Sequence, residues 1–175
     1  MTPLLRREWL APLIVFLLGL ATILGAWGFQ LIGGYVPCKL CLEQRIPYYV
    51  GLPVVLVALL AALAGAKPTV VRLLLIIAGL IFAFNIYLGI YQAGAEWKLW
   101  AGPTDCGGGT GGTQSTTDLL NQLKNTHVVS CTEASWRLLF LSFAGWNAVV
   151  SIVLVAIAIW GAFRRLPPEP VHAEA

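Results

Sequence analysis

Four cysteines are the residues of this chain best suited to chemistry, and they fall into two groups. Cys38 and Cys41 form a Cys-x-x-Cys pair, whereas Cys106 and Cys131 are separated by 24 residues. Cys-x-x-Cys sets two thiols one helical turn apart, close enough to form or break a disulfide with little backbone motion. Apolar sequence follows the pair, so it marks a helix start, where free backbone N–H groups and the helix dipole favour negative charge. Arg45 lies one turn beyond Cys41, and both effects favour the thiolate, the reactive form. Structural zinc would need four ligands, yet only His127 lies near Cys106 and Cys131, so no metal is expected. Four cysteines allow three connectivities, which leaves open purely structural staples as well as redox exchange. A lone thiol–disulfide reductase would need an electron source that the sequence does not display.

The elements that carry these cysteines are membrane spans. Of the 175 residues, 58% are hydrophobic and 11% charged, against roughly a quarter charged in a soluble domain. Uncharged stretches run over 9–38, 46–66, 73–95 and 138–163, and roughly 20 apolar residues suffice to cross a bilayer as a helix. The expected fold is therefore all-α: a polytopic bundle of four transmembrane helices over about 12–32, 46–64, 71–92 and 138–163, in one membrane domain covering 1–175. The first apolar run is too long for a cleaved signal peptide. Lipid is the expected surroundings, and no nucleic-acid partner is expected.

Charge sets the orientation. One side carries Arg6, Arg7, Lys67, Arg72, Arg164 and Arg165 against Glu8, Glu169 and Glu174, a net +3. The other carries Lys39, Arg45, Lys98, Lys124 and Arg137 against Glu43, Glu96, Asp105, Asp118 and Glu133, a net of zero. The positive-inside rule then makes both termini cytoplasmic and places all four cysteines at or beyond the outer face. Two outer loops follow, 33–45 and the long 93–137.

The long loop reads as built in parts. Trp97 and Trp100 suit the interface, as do Trp27 and Trp136. Gly107 to Gly112 holds five glycines, a flexible tether beside Cys106. Ser115 and Asp118 resemble a helix-capping signature, and Leu119, Leu120 and Leu123 give a short helix lying on the membrane. His127 and His172 read as solvated surface residues, and the proline-rich tail over about 166–175 as disordered. Within the spans, Gln30, Asn85 and Asn147 read as interhelical hydrogen-bond formers. Pro47 and Pro53 can kink span two and open a ligand pocket beneath the cysteine turn.

Phe29-Gln30, Pro37-Cys38-Lys39-Leu40-Cys41-Leu42-Glu43-Gln44-Arg45 and Pro47-Tyr48-Tyr49 resemble the first outer loop and second helix of the DsbB family. Ala93 to Trp97, Gly102-Pro103 before Cys106, and Ser142 to Asn147 after Cys131 resemble one branch of it, so the similarity covers nearly the whole chain. The resemblance implies a protein-dithiol:quinone oxidoreductase of the bacterial inner membrane, with its cysteines on the periplasmic side. Its implied redox disulfides are Cys38–Cys41 and Cys106–Cys131, its partner a DsbA-like thioredoxin-fold dithiol oxidase, and its cofactor a membrane quinone, ubiquinone or menaquinone. A quinone is an acceptor strong enough for so oxidising a partner, whereas glutathione would run the reaction backward. Arg45 is the expected quinone contact, with Gln44, Tyr48 and Gln92 as further ones. Some relatives have a histidine near the end of span three where this chain has Gln92, so Gln92 or another group must substitute. The alternatives are a non-catalytic scaffold with structural disulfides and an oxidoreductase of the vitamin K epoxide reductase type. In the latter the thiol pair usually lies in a later span.

Overall fold

The computed structural model describes residues 8–102, 131, 132 and 134–164. Cys106, the glycine tether, the loop helix, His127 and the tail with His172 lie outside the described residues. Among the described residues, four helices are long and apolar enough to cross a membrane.

Helix α1 (Leu10–Leu31) buries Ala11, Val15, Gly19 and Ile23, every fourth residue, so a single stripe faces the bundle. Helix α2 (Lys39–Glu43) is one short turn, and α3 (Ile46–Leu63) follows after Gln44 and Arg45. Span two is thus not one helix from Cys38 onward, as its sequence suggested. Pro47 sits in the first turn of α3, where its missing N–H has no helical acceptor to lose. α3 closes on Gly65, whose φ of +73° is easy only for glycine. The Ala66 N–H bonds to Ala61 O at 2.9 Å and the Gly65 N–H to Ala62 O at 3.2 Å, a Schellman turn that feeds α4 (Pro68–Glu96).

α4 reaches one turn further than the Gln92 boundary expected from sequence, ending at Glu96. Lys98 takes φ +58° in the closing turn, where the Leu99 N–H bonds to Gly94 O at 2.9 Å. The last span also starts later than expected. Residues 137–142 form a hairpin instead, with β1 (Arg137–Leu138) antiparallel to β2 (Leu141–Ser142). Leu139 and Phe140 make its turn with φ of +49° and +69°, the two-residue geometry that suits the strand twist but strains bulky side chains. Ser142 then caps α5 (Phe143–Phe163), its Oγ accepting the Gly145 N–H at 3.2 Å.

The core runs along the bundle axis through Val15, Val55, Leu75, Phe82 and Leu154. Leu17, Leu24, Leu80, Phe84, Ile159 and Phe163 point outward, which an apolar solvent permits at no cost. α4 and α5 approach closely at Gly89, where an added Cβ would stand 3.0 Å from Ala148 Cβ and 3.1 Å from Ala144 O. Small residues permit such contacts in membranes. Gly89→Val is therefore expected to destabilise the bundle by about 1–3 kcal/mol, the usual range for overpacking. Thermal unfolding in detergent checks this, and an unchanged midpoint would mean that the helices separate freely there.

Candidate functional site

Cys38 is the N-cap of α2, with an extended backbone (φ −75°, ψ 171°) after Pro37. Its sulfur accepts the Cys41 N–H at 3.3 Å, and the two sulfurs lie 2.7 Å apart. Both are free thiols. Cys38 is buried, whereas Cys41 is half-buried and opens into a cavity. The Cys38 thiol is pushed up, first by its hydrogen bond with the Cys41 sulfur and then by burial. The sequence suggested that the helix start would favour the thiolate; at Cys38 the neighbouring sulfur and burial act the other way.

Gln92 completes the thiol site from α4. Its Nε2 lies 3.3 Å from Cys41 Sγ, 3.4 Å from Cys38 Sγ and 3.2 Å from Glu96 Oε1. Its Oε1 accepts the Gln44 Nε2 hydrogen bond at 2.6 Å. Gln44 Oε1 in turn accepts from Asn147 Nδ2 at 2.6 Å, and Asn147 Oδ1 accepts from the Tyr48 hydroxyl at 2.7 Å. Asn85 Nδ2 reaches Asn147 Oδ1 at 3.4 Å and Ser151 Oγ at 3.0 Å. One polar chain therefore runs from mid-bundle to the sulfurs across α3, α5 and α4. Enclosed in an apolar bundle, these bonds hold the amides of Gln44, Gln92 and Asn147 in one orientation, while Asn85 Oδ1 has no partner among the described residues.

Arg45 lies at the α2–α3 break. It does not reach toward the sulfurs as its spacing suggested. Its Nη1 donates to Gln30 Oε1 at 2.6 Å, its Nη2 to Ala26 O at 3.4 Å, and its guanidinium lies 5.2 Å from the Trp27 ring centroid. The Trp27 Nε1 donates to the Tyr49 hydroxyl at 3.0 Å. Gln30, Trp27 and Asn147 thus belong to the site, although sequence reading treated them as packing or interface residues. Only their position beside Arg45 and Gln44 reveals them, because a polar side chain on an apolar helix looks the same in either role.

Between α1, α3 and α5 lies a cavity of about 370 Å³, with Cys41, Gln44, Arg45, Tyr48 and Asn147 in its wall. Gln30 shares that wall, and Ile23, Phe29, Phe143 and Val150 make it largely apolar. Phe143 meets Phe29 edge-on at 4.9 Å between centroids and stacks on Trp136 at 4.8 Å. The volume and the few converging polar groups suit a small planar ligand with an apolar tail. Of the sequence-expected site residues, Cys38, Cys41, Gln44, Arg45, Tyr48 and Gln92 come together here. Gln92 stands behind the sulfurs rather than in the cavity wall.

Cys131 comes from the long loop and is fully buried. It packs with Cys38 and Leu40, beside Cys41 and Tyr91. It is disulfide-bonded. Two kinds of cysteine therefore meet at one end of the bundle, a free pair and a bonded one.

A polytopic four-helix membrane protein with a paired-thiol site is the class that this fold and geometry define. The sequence model of the family described as Disulfide bond formation protein DsbB matches residues 7–161. A relative from Marinobacter nauticus, Disulfide bond formation protein B, is 30% identical over 177 aligned positions, covering 94% of this chain and 97% of its own. No solved structure matches the chain. The chain belongs to the DsbB family, the membrane disulfide oxidoreductases of disulfide bond formation.

Proposed function

We propose that the chain is a protein-dithiol:quinone oxidoreductase that reoxidises a DsbA-like thioredoxin-fold oxidase in the periplasm and passes the electrons to a quinone of the bacterial inner membrane. The observation that carries this reading is the free Cys38–Cys41 pair, open through Cys41 to an apolar cavity and packed through Cys38 against a disulfide-bonded Cys131. Cys131 is bonded in a disulfide, and the family resemblance implies Cys106 as its partner.

In the relay, a thiolate of the soluble oxidase attacks Cys106, and Cys131 leaves as a thiolate. Cys131 attacks Cys38 when the inner pair is oxidised, so that Cys41 leaves as a thiolate facing the cavity. The second partner thiol then resolves the mixed disulfide at Cys106, and Cys106 reforms its bond with Cys131, leaving Cys38 and Cys41 reduced. Disulfide exchange of this kind runs through attack on one sulfur and departure of the other, which the packing of Cys131 against Cys38 supports.

A quinone bound in the cavity supplies a two-electron, two-proton acceptor. The chain's part is placement. Phe29 and Phe143 offer ring faces, Ile23 and Val150 an apolar channel, and the amides of Gln44 and Asn147 hydrogen-bonding groups. Arg45, held by Gln30 and Trp27, keeps a fixed positive charge at the cavity wall. Such a charge stabilises oxygen atoms that gain electrons. Tyr48 and Gln92 hold the amides and the sulfurs in register. The net charge on either side of the spans supports cytoplasmic termini and periplasmic cysteines.

Arg45→Gln should lower kcat/KM for quinone about 10- to 100-fold, the equivalent of one charge-assisted hydrogen bond, while thiol exchange at Cys106 and Cys131 continues. An unchanged quinone KM and kcat would remove Arg45 from the site. The function itself is tested by anaerobic mixing of the purified protein with quinone and a reduced thioredoxin-fold dithiol. Stoichiometric hydroquinone is expected, and its absence would refute the quinone reading.

A further inference from the structure

Glu96 is an unexplained carboxyl. It ends α4, where the helix dipole disfavours negative charge, yet it is buried in a largely apolar bundle. One oxygen accepts the Gln92 Nε2 hydrogen bond at 3.2 Å, and the other is buried beside Ser142 without a hydrogen-bond partner among the described residues. The same Gln92 Nε2 faces both thiol sulfurs. On its other side Glu96 borders a broad open hollow of about 570 Å³, lined also by Trp97, Lys98, Arg137 and Phe140. The groups facing it are thus Gln92 and the thiol pair within, Ser142 and Arg137 from the hairpin, and Lys98 from the closing turn of α4.

A buried carboxyl set between a buried thiol pair and an open hollow, with one oxygen unpartnered among the described residues, is placed to hold a proton. We propose that Glu96 takes up one proton when the Cys38–Cys41 disulfide is reduced and gives it back when the pair is reoxidised, acting through Gln92 as a positioning residue. This rests on the redox reading of that pair.

The step balances. A dithiol, the Cys38–Cys41 disulfide and the Glu96 carboxylate become a new disulfide, the Cys38 thiol, the Cys41 thiolate and the Glu96 carboxylic acid. Two protons and one negative charge stand on each side, and two electrons pass from the dithiol to the Cys38–Cys41 sulfurs. Glu96 thereby lets Cys41 remain a thiolate in a low-dielectric bundle, because the buried site carries one negative charge before and after. Without that uptake, reduction would either add a second buried charge or quench the nucleophile, and buried like charges strongly oppose one another.

The test is proton counting with full-length protein in detergent, in a C106S/C131S background so that dithiothreitol reduces the inner pair alone. With Glu96 present, a pH indicator should record close to no proton release. E96Q keeps an acceptor for Gln92 but cannot be protonated, and should release about one proton per disulfide reduced, as linkage requires. Its reduction rate should fall about 100-fold, within the range of proton-transfer catalysis, and E96D should recover part of the rate together with the low proton release. Equal release with and without Glu96, while the pair still cycles, would overturn its role and leave the redox reading intact. A pair that dithiothreitol and quinone cannot cycle at all would overturn both. Should E96Q not fold, the infrared difference spectrum of the background protein decides: a carboxylic acid carbonyl band must appear on reduction, and its absence refutes the proposal.

Discussion

Cys131→Ala is expected to lower oxidation of the soluble thioredoxin-fold partner by about three orders of magnitude or more, as when one member of a set that acts as a unit is removed. The inner pair should still reduce quinone with a small dithiol, within about threefold of the parent, because nothing in the polar chain from Tyr48 to Gln92 depends on Cys131. Cys131 is fully buried against Cys38 and Leu40, and its loss also leaves a small void, which a Cys131→Ser variant keeps filled. Cys106→Ala should match it in partner oxidation. Stopped-flow measurement of partner fluorescence beside quinone absorbance separates the two half-reactions. Native-rate partner oxidation by either variant would exclude a relay through two pairs.

Gln92→Leu should have the second largest effect, and on two observables. Leucine approximates the volume of glutamine but strands the Gln44 Nε2 donor and Glu96 Oε1, which Gln92 now satisfies. Each buried unsatisfied group costs about 1–3 kcal/mol, so the folded bundle should lose about 2–6 kcal/mol. Turnover should fall about 100-fold as well, because both sulfurs lose the N–H that faces them at 3.3 and 3.4 Å and that favours the charged thiolate. Gln92→His, which keeps a ring N–H able to face the sulfurs, should recover much of the turnover while still losing the bond to Gln44. Thermal unfolding in detergent and anaerobic quinone reduction read the two effects separately. A Gln92→Leu protein with parental turnover would reduce Gln92 to a packing residue.

Residue types and their local spacing were enough to read the class of fold and where the chemistry begins. Long uncharged runs have only one way to satisfy their backbone groups in lipid, as helices, so four spans followed from composition alone. Cys-x-x-Cys before an apolar run likewise marks a thiol pair at a helix start, because its spacing is local. Boundaries were less legible where a turn overrides the pattern. Leu138 to Leu141 is apolar enough to read as span, yet the positive φ of Leu139 and Phe140 and the Ser142 cap hold it as a hairpin.

Which polar residues converge depends on how the helices pack. Gln44, Gln92 and Asn147 lie 48 and 55 positions apart along the chain, yet they form one hydrogen-bonded line. Arg45, one turn from Cys41 in sequence, turns to Gln30 and Trp27 because the helix breaks between α2 and α3. Glu96 fell within the outer loop by sequence, and α4 instead runs one turn further and buries it beside Gln92. A helix pattern reports which face of its own helix turns toward the bundle. It carries no information on what a neighbouring helix presents there, and in this protein the groups around the sulfurs come from such neighbours.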